Sequence, residues 1–506
     1  MRLDHGERAG MLFNSFEFIF VFLPITLAGF LIVGKLVMAP AARILWLAIA
    51  SLSFYGYWNI DFLPVIAVSI LANFLFATGI AKYSQYSRMI FVAAVAANLA
   101  GLGFYKYANF GIQIFNSVAP RQLSPLTITL PLGISFFTFT QIAYLADVLA
   151  ERARERNFVK YVLFVTYFPH LIAGPIMHHR EMMPQFGAAG APRLSPNRMA
   201  IGLTIFTIGL FKKAVIADYL ATVVDPVFAS AVKGGVACLD AWGGALAYSL
   251  QIYFDFSGYC DMAIGISFLF GIILPFNFDA PYKSHSITEF WRRWHITLSR
   301  FLRDYVYIPL GGNRYGEARR VCNLLLTMLI GGLWHGAGWT FIVWGALHGL
   351  FLAINHAWAA LRQYSPALRS AGGTYPSALV SVALTQFCVV AAWVFFRADS
   401  LATADRMLTA MAGFSAPTAG KLVSAVSFGV IAGFYLACLV LPNVNELFSR
   451  FAVGLDTYHL PRPWSLLRPQ WSIGMGWAVA TATAFVMSLL AVLAAGGDAP
   501  FLYFRF

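Results

Sequence analysis

Charge is scarce in this 506-residue chain: Asp, Glu, Lys and Arg together make up 11% of it, whereas 59% is hydrophobic. Soluble domains carry about 25% charged residues to cover their surface. The shortfall excludes a soluble enzyme and a disordered scaffold. Cysteine is also sparse. Cys238, Cys260, Cys322, Cys388 and Cys438 are scattered, with no CxxC pair and no histidine at metal-ligand spacing, so neither a disulfide framework nor a metal site is assigned. Strand-like alternation of polar and apolar residues is missing from the long apolar runs, which argues against a membrane β-barrel. No GxSxG elbow or HExxH helix occurs. The string GFLIVGK (Gly29–Lys35) imitates a phosphate loop, but Leu36 stands where a metal-binding hydroxyl is needed. The net charge of +13 reads as Lys and Arg collected in loops beside anionic lipid and not as a nucleic-acid surface. The partner implied by composition is the lipid bilayer.

Long apolar runs are what the chain has in their place. A spanning helix needs about 20 mostly apolar residues. Such runs lie near 16–36, 42–58, 61–80, 88–105, 127–147, 199–217, 376–396, 422–442 and 472–494. Three stretches divide less simply. Residues 158–177 carry Pro169, His170, Gly174 and Pro175, residues 241–275 hold acids among aromatics, and residues 321–361 contain no Asp, Glu, Lys or Arg. The last predicts two segments broken around GGLWHGAGW (Gly331–Trp339). The expectation is an all-α polytopic membrane protein of 11–13 transmembrane or re-entrant segments. Its organisation reads as a dispensable polar leader at 1–10, a single membrane domain at 11–494 and an aromatic tail at 495–506. The first apolar stretch is too long for a cleavable signal peptide. The Arg-rich connection 276–320 and the segment 148–160 are expected at the cytoplasmic face.

Several polar groups sit inside or beside these runs. His335 lies in GGLWHGAGW, flanked by Trp334 and Trp339. It reads either as a structural group, with Gly332 and Gly336 forming a helix-packing GxxxG, or as a neutral general base kept uncharged by its apolar setting. The string Phe290–Gly312 carries Arg292, Arg293, Arg300 and Arg303 with His295 among aromatics. It reads as an interfacial helix or as one presenting Arg to an anionic donor. Asp255 and Asp261, in YSLQIYFDFSGYCDMAIG, need partners in hydrocarbon. Arginines of 290–303 are the expected supply, with substrate contact the alternative. His170 reads as cavity lining.

Taken together the strings resemble the membrane-bound O-acyltransferases, in the bacterial branch of alginate O-acetyltransferase, peptidoglycan O-acetyltransferase and teichoic-acid D-alanyl transfer. The resemblance runs through MLFNSFEFIFVFLPI (11–25), SFYGYWN (53–59), FYKYANF (104–110), LPLGISFFTF (130–139), YFPHLIAGPI (167–176), YFDFSGYCDMAIG (253–265), the 290–312 string, GGLWHGAGW and the terminal FLYFRF. It implies helices around a central tunnel, with His335 as the catalytic histidine and His295 as the second histidine of this branch. His295 is expected near His335, binding or orienting the donor thioester or polarising its carbonyl. Trp334, Asp255, Asp261 and the four arginines are expected donor or substrate contacts. Tyr503, in the tail, is expected to accept the acyl group from the donor and pass it on. The implied activity is O-acetyl transfer in the bacterial inner membrane. The implied donor is cytosolic acetyl-CoA, with no resident cofactor. A periplasmic O-acetyltransferase partner would complete transfer to an exopolysaccharide, alginate first and peptidoglycan or cellulose as alternatives. A non-catalytic transporter is the rival from another class, and the internal repeat common in transporters is not seen in the sequence.

Overall fold

The computed structural model describes residues 10–37, 39–153, 155, 157–187, 195–364, 375–414, 421–455, 467, 469–495 and 500–502. Hydrocarbon offers backbone groups no water, so apolar runs must close their hydrogen bonds internally as helix. Among the described residues there is no β-strand, only an isolated parallel bridge between Pro275 and Leu455. Seven helices are long and apolar enough to cross a bilayer: Phe18–Leu36, Ile60–Lys82, Ser84–Val118, Pro196–Lys233, Trp339–Tyr364, Ala378–Arg397 and Met475–Ala494. Shorter apolar helices run over Ile134–Leu149 and Ala425–Val440. The chain is a multi-pass, all-helical membrane protein.

Where boundaries differ from the sequence reading, prolines and glycines account for it. The helix expected at 127–147 begins at Ile134, because Pro120, Pro125 and Pro131 hold the preceding stretch out of helix. A helix over Ala108–Val118, absent from that reading, continues the preceding span through a π-helical turn at Gly103–Tyr107. Residues 158–177 split into Phe158–Thr166 and Phe168–Leu171. The uncharged run divides into Gly316–His335 and Trp339–Tyr364, with Gly336 extended at the break.

One helix organises the rest. Cys238–Leu269 is 32 residues long and buried along nearly all of its length, so its ambiguous acids and aromatics face protein and not lipid. The Pro196–Phe211 helix approaches it at two glycine pairs. A β-carbon on Gly209 would lie 2.5 Å from the Gly258 carbonyl oxygen, and one on Gly265 would lie 2.6 Å from that of Gly202. Two apolar clusters flank this central helix. One gathers the N-terminal helices with Phe301, Trp334 and Phe501. The other gathers Trp291, Trp294, Trp344, Trp393, Phe396 and Leu502. Trp334 and Trp344 thus belong to different clusters, and His295, His335 and His348 collect at the seam between them.

Candidate functional site

His335 is the last residue of its helix, and its environment follows from that position. The helix packs on its successor where Gly332 and Gly345 bring their Cα atoms together. A β-carbon on Gly332 would lie 2.3 Å from the Phe341 carbonyl oxygen. Gly336 approaches the same residue, with a β-carbon there 2.2 Å from Phe341 Cε2, and it also ends the helix. The imidazole is buried among Trp334 at 4.9 Å, Trp344 at 5.1 Å and Phe396 at 5.1 Å between ring centroids. Trp334 itself packs on Phe136 and Phe139, so it acts as a wall from the opposite cluster.

The carbonyls at a helix C-terminus lack intrahelical donors and carry partial negative charge. Two residues of the π-helical turn at Gly103–Tyr107 meet that need. Lys106 Nζ donates to the carbonyl of Trp334 at 2.6 Å and to that of His335 at 3.1 Å, and reaches Ser135 Oγ at 3.3 Å. Tyr107 donates its hydroxyl proton to the Leu333 carbonyl at 2.5 Å. The last three carbonyls of the histidine helix are thus held from one neighbouring turn. Neither residue was singled out from the sequence as part of the site. A lysine beside an apolar span was the available signal.

His295 is brought to His335 from 40 residues away, with ring centroids 6.2 Å apart. It precedes the short helix Ile296–Leu302 and packs edge-on against Phe256 of the central helix at 4.8 Å and Trp334 at 5.9 Å. A third buried histidine went unnoticed in the uncharged run. His348 lies 4.9 Å from Trp344 between ring centroids, and its Nδ1 accepts from the Trp291 indole at 3.2 Å. An indole N–H only donates, so His348 carries its proton on Nε2.

The arginines do not form one anion site. Arg293 is buried and committed to Asp279 at 3.0 Å and Glu289 at 2.9 Å. Arg300 grips Glu181 with both terminal nitrogens, Nη2 to Oε2 at 2.7 Å. Both are held as internal clamps by carboxylates that the fold supplies. Arg292 and Arg303 are exposed, and Arg303 pairs with the adjacent Asp304. His170 donates from Nε2 to the Phe164 carbonyl at 3.0 Å, which ties the short Phe168–Leu171 turn to the helix before it.

Asp255 and Asp261 find lysines, not the arginines expected. Lys212 meets Asp261 at 2.6 Å, and Lys213 meets Asp255 at 3.0 Å and Asp218 at 2.7 Å. The lysines come from a second π-helical turn, Lys212–Ala217, next to the central helix. The sequence signal was the pair Lys212–Lys213 inside an apolar span, two positive charges opposite two unexplained negative ones. Residues 500–502 of the C-terminal tail also reach this layer. The Leu502 backbone N–H donates to Asp255 at 3.0 Å, and Lys213 donates to the Pro500 carbonyl at 3.2 Å. Phe501 is 1% exposed, with the Lys213 ammonium 5.0 Å from its ring centroid and the Tyr259 ring 5.0 Å away. Tyr503 lies outside the described residues.

A family model described as membrane-bound O-acyltransferase matches residues 49–389. The chain belongs to the membrane-bound O-acyltransferase family. Its enzyme class is acyltransferase, and the matched region holds Lys106, His295, His335 and His348 together with the central helix. Among its relatives is a peptidoglycan O-acetyltransferase of Helicobacter pylori, 45% identical over 432 residues that cover 80% of each chain. A probable alginate O-acetylase AlgI of Pseudomonas putida is 39% identical over 98% of this chain and 100% of its own. A teichoic acid D-alanyltransferase of Streptococcus thermophilus is 30% identical over 45% of this O-acyltransferase and 57% of the relative.

Proposed function

We propose that this chain is an inner-membrane O-acetyltransferase that takes acetyl from cytosolic acetyl-CoA and hands it to a periplasmic partner for esterification of an exopolysaccharide, alginate first. The observation that carries the reading is the buried pair His335 and His295, two imidazoles 6.2 Å apart in a seam walled by aromatic rings. An imidazole lone pair in such a setting can take the proton of an attacking hydroxyl. The hydroxyl oxygen bonds the acyl carbon, the carbon–sulfur bond breaks, and the thiolate leaves with that proton as thiol. In this scheme His335 is the base and His295 orients the thioester. Tyr503 is the first acyl acceptor, a role supported by the anchoring of Pro500, Phe501 and Leu502 beside the central helix. Exposed Arg292 and Arg303 contact the donor's phosphates.

Alginate as acceptor is supported by the end-to-end match with alginate O-acetylase AlgI. Peptidoglycan is the second reading, favoured by the higher identity to the Helicobacter pylori relative. Purified protein in nanodiscs, given acetyl-CoA labelled in its acetyl group, tests the scheme. Label should appear on wild-type protein and be absent from Tyr503→Phe, which keeps the ring and deletes the nucleophile. A Tyr503→Phe protein that acetylates polymer at the wild-type rate removes Tyr503 from the route. Transfer of label to alginate or to peptidoglycan strands by the protein with its partner decides the acceptor.

A further inference from the structure

His295 has φ 44° and ψ 53°, the left-handed region that residues other than glycine seldom occupy. Such outliers persist where the surroundings over-determine them, and they cluster at functional sites. Here the surroundings are a loop laid alongside. The Asn277 carbonyl accepts from Ile296 N at 3.0 Å, and the Arg293 carbonyl accepts from Asp279 N at 3.0 Å. Arg293 also donates to Asp279 Oδ2 at 3.0 Å, so the clamp described above holds the loop against His295.

The Asn277 side chain decides where the proton on His295 sits. One of its terminal atoms lies 3.2 Å from Thr297 N and 3.2 Å from His295 Nδ1. A backbone N–H can only donate, so that atom is the amide oxygen, Oδ1. The amide nitrogen correspondingly faces Cys260 Sγ at 3.4 Å. The Thr297 hydroxyl accepts from Ile176 N at 2.9 Å and gives its own proton to the same oxygen at 3.0 Å. An amide oxygen can only accept, so Nδ1 of His295 must donate, and Nε2 carries the ring's lone pair.

We propose that Asn277 is a positioning residue that holds His295 as the Nδ1–H tautomer, so that His295 meets the reacting groups as an acceptor at Nε2. The expected role of polarising the thioester carbonyl requires an N–H on the reacting side, which this arrangement spends on Asn277. His335 is too far for a direct N–H···N bond at 6.2 Å between centroids. His295 therefore orients the donor by accepting at Nε2 from an amide N–H of its pantetheine arm, and the proton of the attacking hydroxyl goes to His335 alone.

The inference builds on the proposed acetyl transfer, but its first test needs no activity. Protein labelled with 15N-histidine in nanodiscs reports the tautomer through its imidazole nitrogen shifts, with the His295 signals assigned by their loss in His295→Asn. The Nδ1–H pattern is expected at His295. An Nε2–H pattern overturns the proposal. Asn277→Leu should abolish that pattern and lower kcat about tenfold or more with little change in KM for acetyl-CoA. Asn277→Asp keeps the acceptor, should restore most of kcat, and should move the acid limb of the pH–rate profile upward, because a carboxylate favours the imidazolium. A wild-type rate in Asn277→Leu also overturns the proposal. Should Asn277→Leu fail to fold, the wild-type spectrum and Asn277→Asp decide. A protein with the Nδ1–H pattern but no transfer from acetyl-CoA would count against the proposed function alone.

Discussion

Asp255 and Phe256 are neighbours on the central helix, yet they serve two unlike buried regions. Asp255 belongs to a layer of full charges, Lys212, Lys213, Asp218 and Asp261, in which each ammonium meets a carboxylate within 3.0 Å. Phe256 faces His295 at 4.8 Å, in a seam of imidazoles and indoles. Ion pairs satisfied within the fold have little left to offer a substrate. Removing one partner leaves the other charge buried and uncompensated. A neutral imidazole between rings is held by packing and by single hydrogen bonds, and keeps proton-transfer capacity. Burial alone therefore does not mark chemistry. What the neighbours leave a polar group able to do marks it.

The largest effect expected from breaking this contrast lies in the seam. His335→Ala should lower acyl transfer by at least the ~10²–10⁴-fold that general-base catalysis supplies, while membrane insertion and thermal unfolding in detergent stay close to wild type. A near-normal rate would remove the residue from the mechanism. Lys213→Met should do the reverse. It strips Asp255, Asp218 and the tail carbonyl of one ammonium, and should cost about 3–5 kcal/mol of stability, read as a lowered unfolding temperature. Adding Asp255→Leu to that variant should recover part of the loss, since a buried pair replaced by apolar groups of similar size is often close to neutral.

Lys106→Met joins the two regions, being a charge that serves the histidine. It should lower kcat about tenfold, in line with the ~1.5–3 kcal/mol of a hydrogen bond to a charged group, with KM for acetyl-CoA unchanged. Lys106→Arg should restore part of the rate. An equal loss of folded protein in both variants would make Lys106 structural only. The smallest effect belongs to the surface. Arg303 pairs with its neighbour Asp304 in the open, and such pairs contribute about 0–1 kcal/mol. Arg303→Ala should leave the unfolding temperature unchanged and raise KM for acetyl-CoA only a few-fold. An unchanged KM would assign Arg303 to lipid headgroups instead.

Much of this was legible in the chain. His335 stood out because an ionisable group in an uncharged run is uncommon, and the break beside it followed from Gly336 and Gly338. His348 was just as exceptional by that criterion, but it lies mid-helix, where Gly345 and Gly349 serve helix packing and make no break in the chain. Asp255 and Asp261 announced that they needed partners. Their lysines, Lys212 and Lys213, lie within the run at 199–217, and nothing in the chain says that this run packs on the central helix. The arginines were ambiguous for another reason. Five donors in a planar fork suit a carboxylate as well as a phosphate, and only the fold shows that Glu181 and Asp279 arrive first.

The sequence by itself determined the solvent, the secondary structure and the roster of polar groups. Apolar runs without charge must become helix in hydrocarbon, and a few ionisable residues within them must be either paired or used. Tertiary structure alone decided which was which. Pairing depends on distances between segments far apart in the chain: 40 positions from His295 to His335, over 200 from Lys106 to the helix end that it caps, and 247 from Asp255 to Leu502. Periodicity and composition act over a few turns and carry no information at that range. Packing of the glycine-lined helices against the central one sets those distances, and with them which buried groups are neutralised by a charged partner and which sit as imidazoles among aromatic rings.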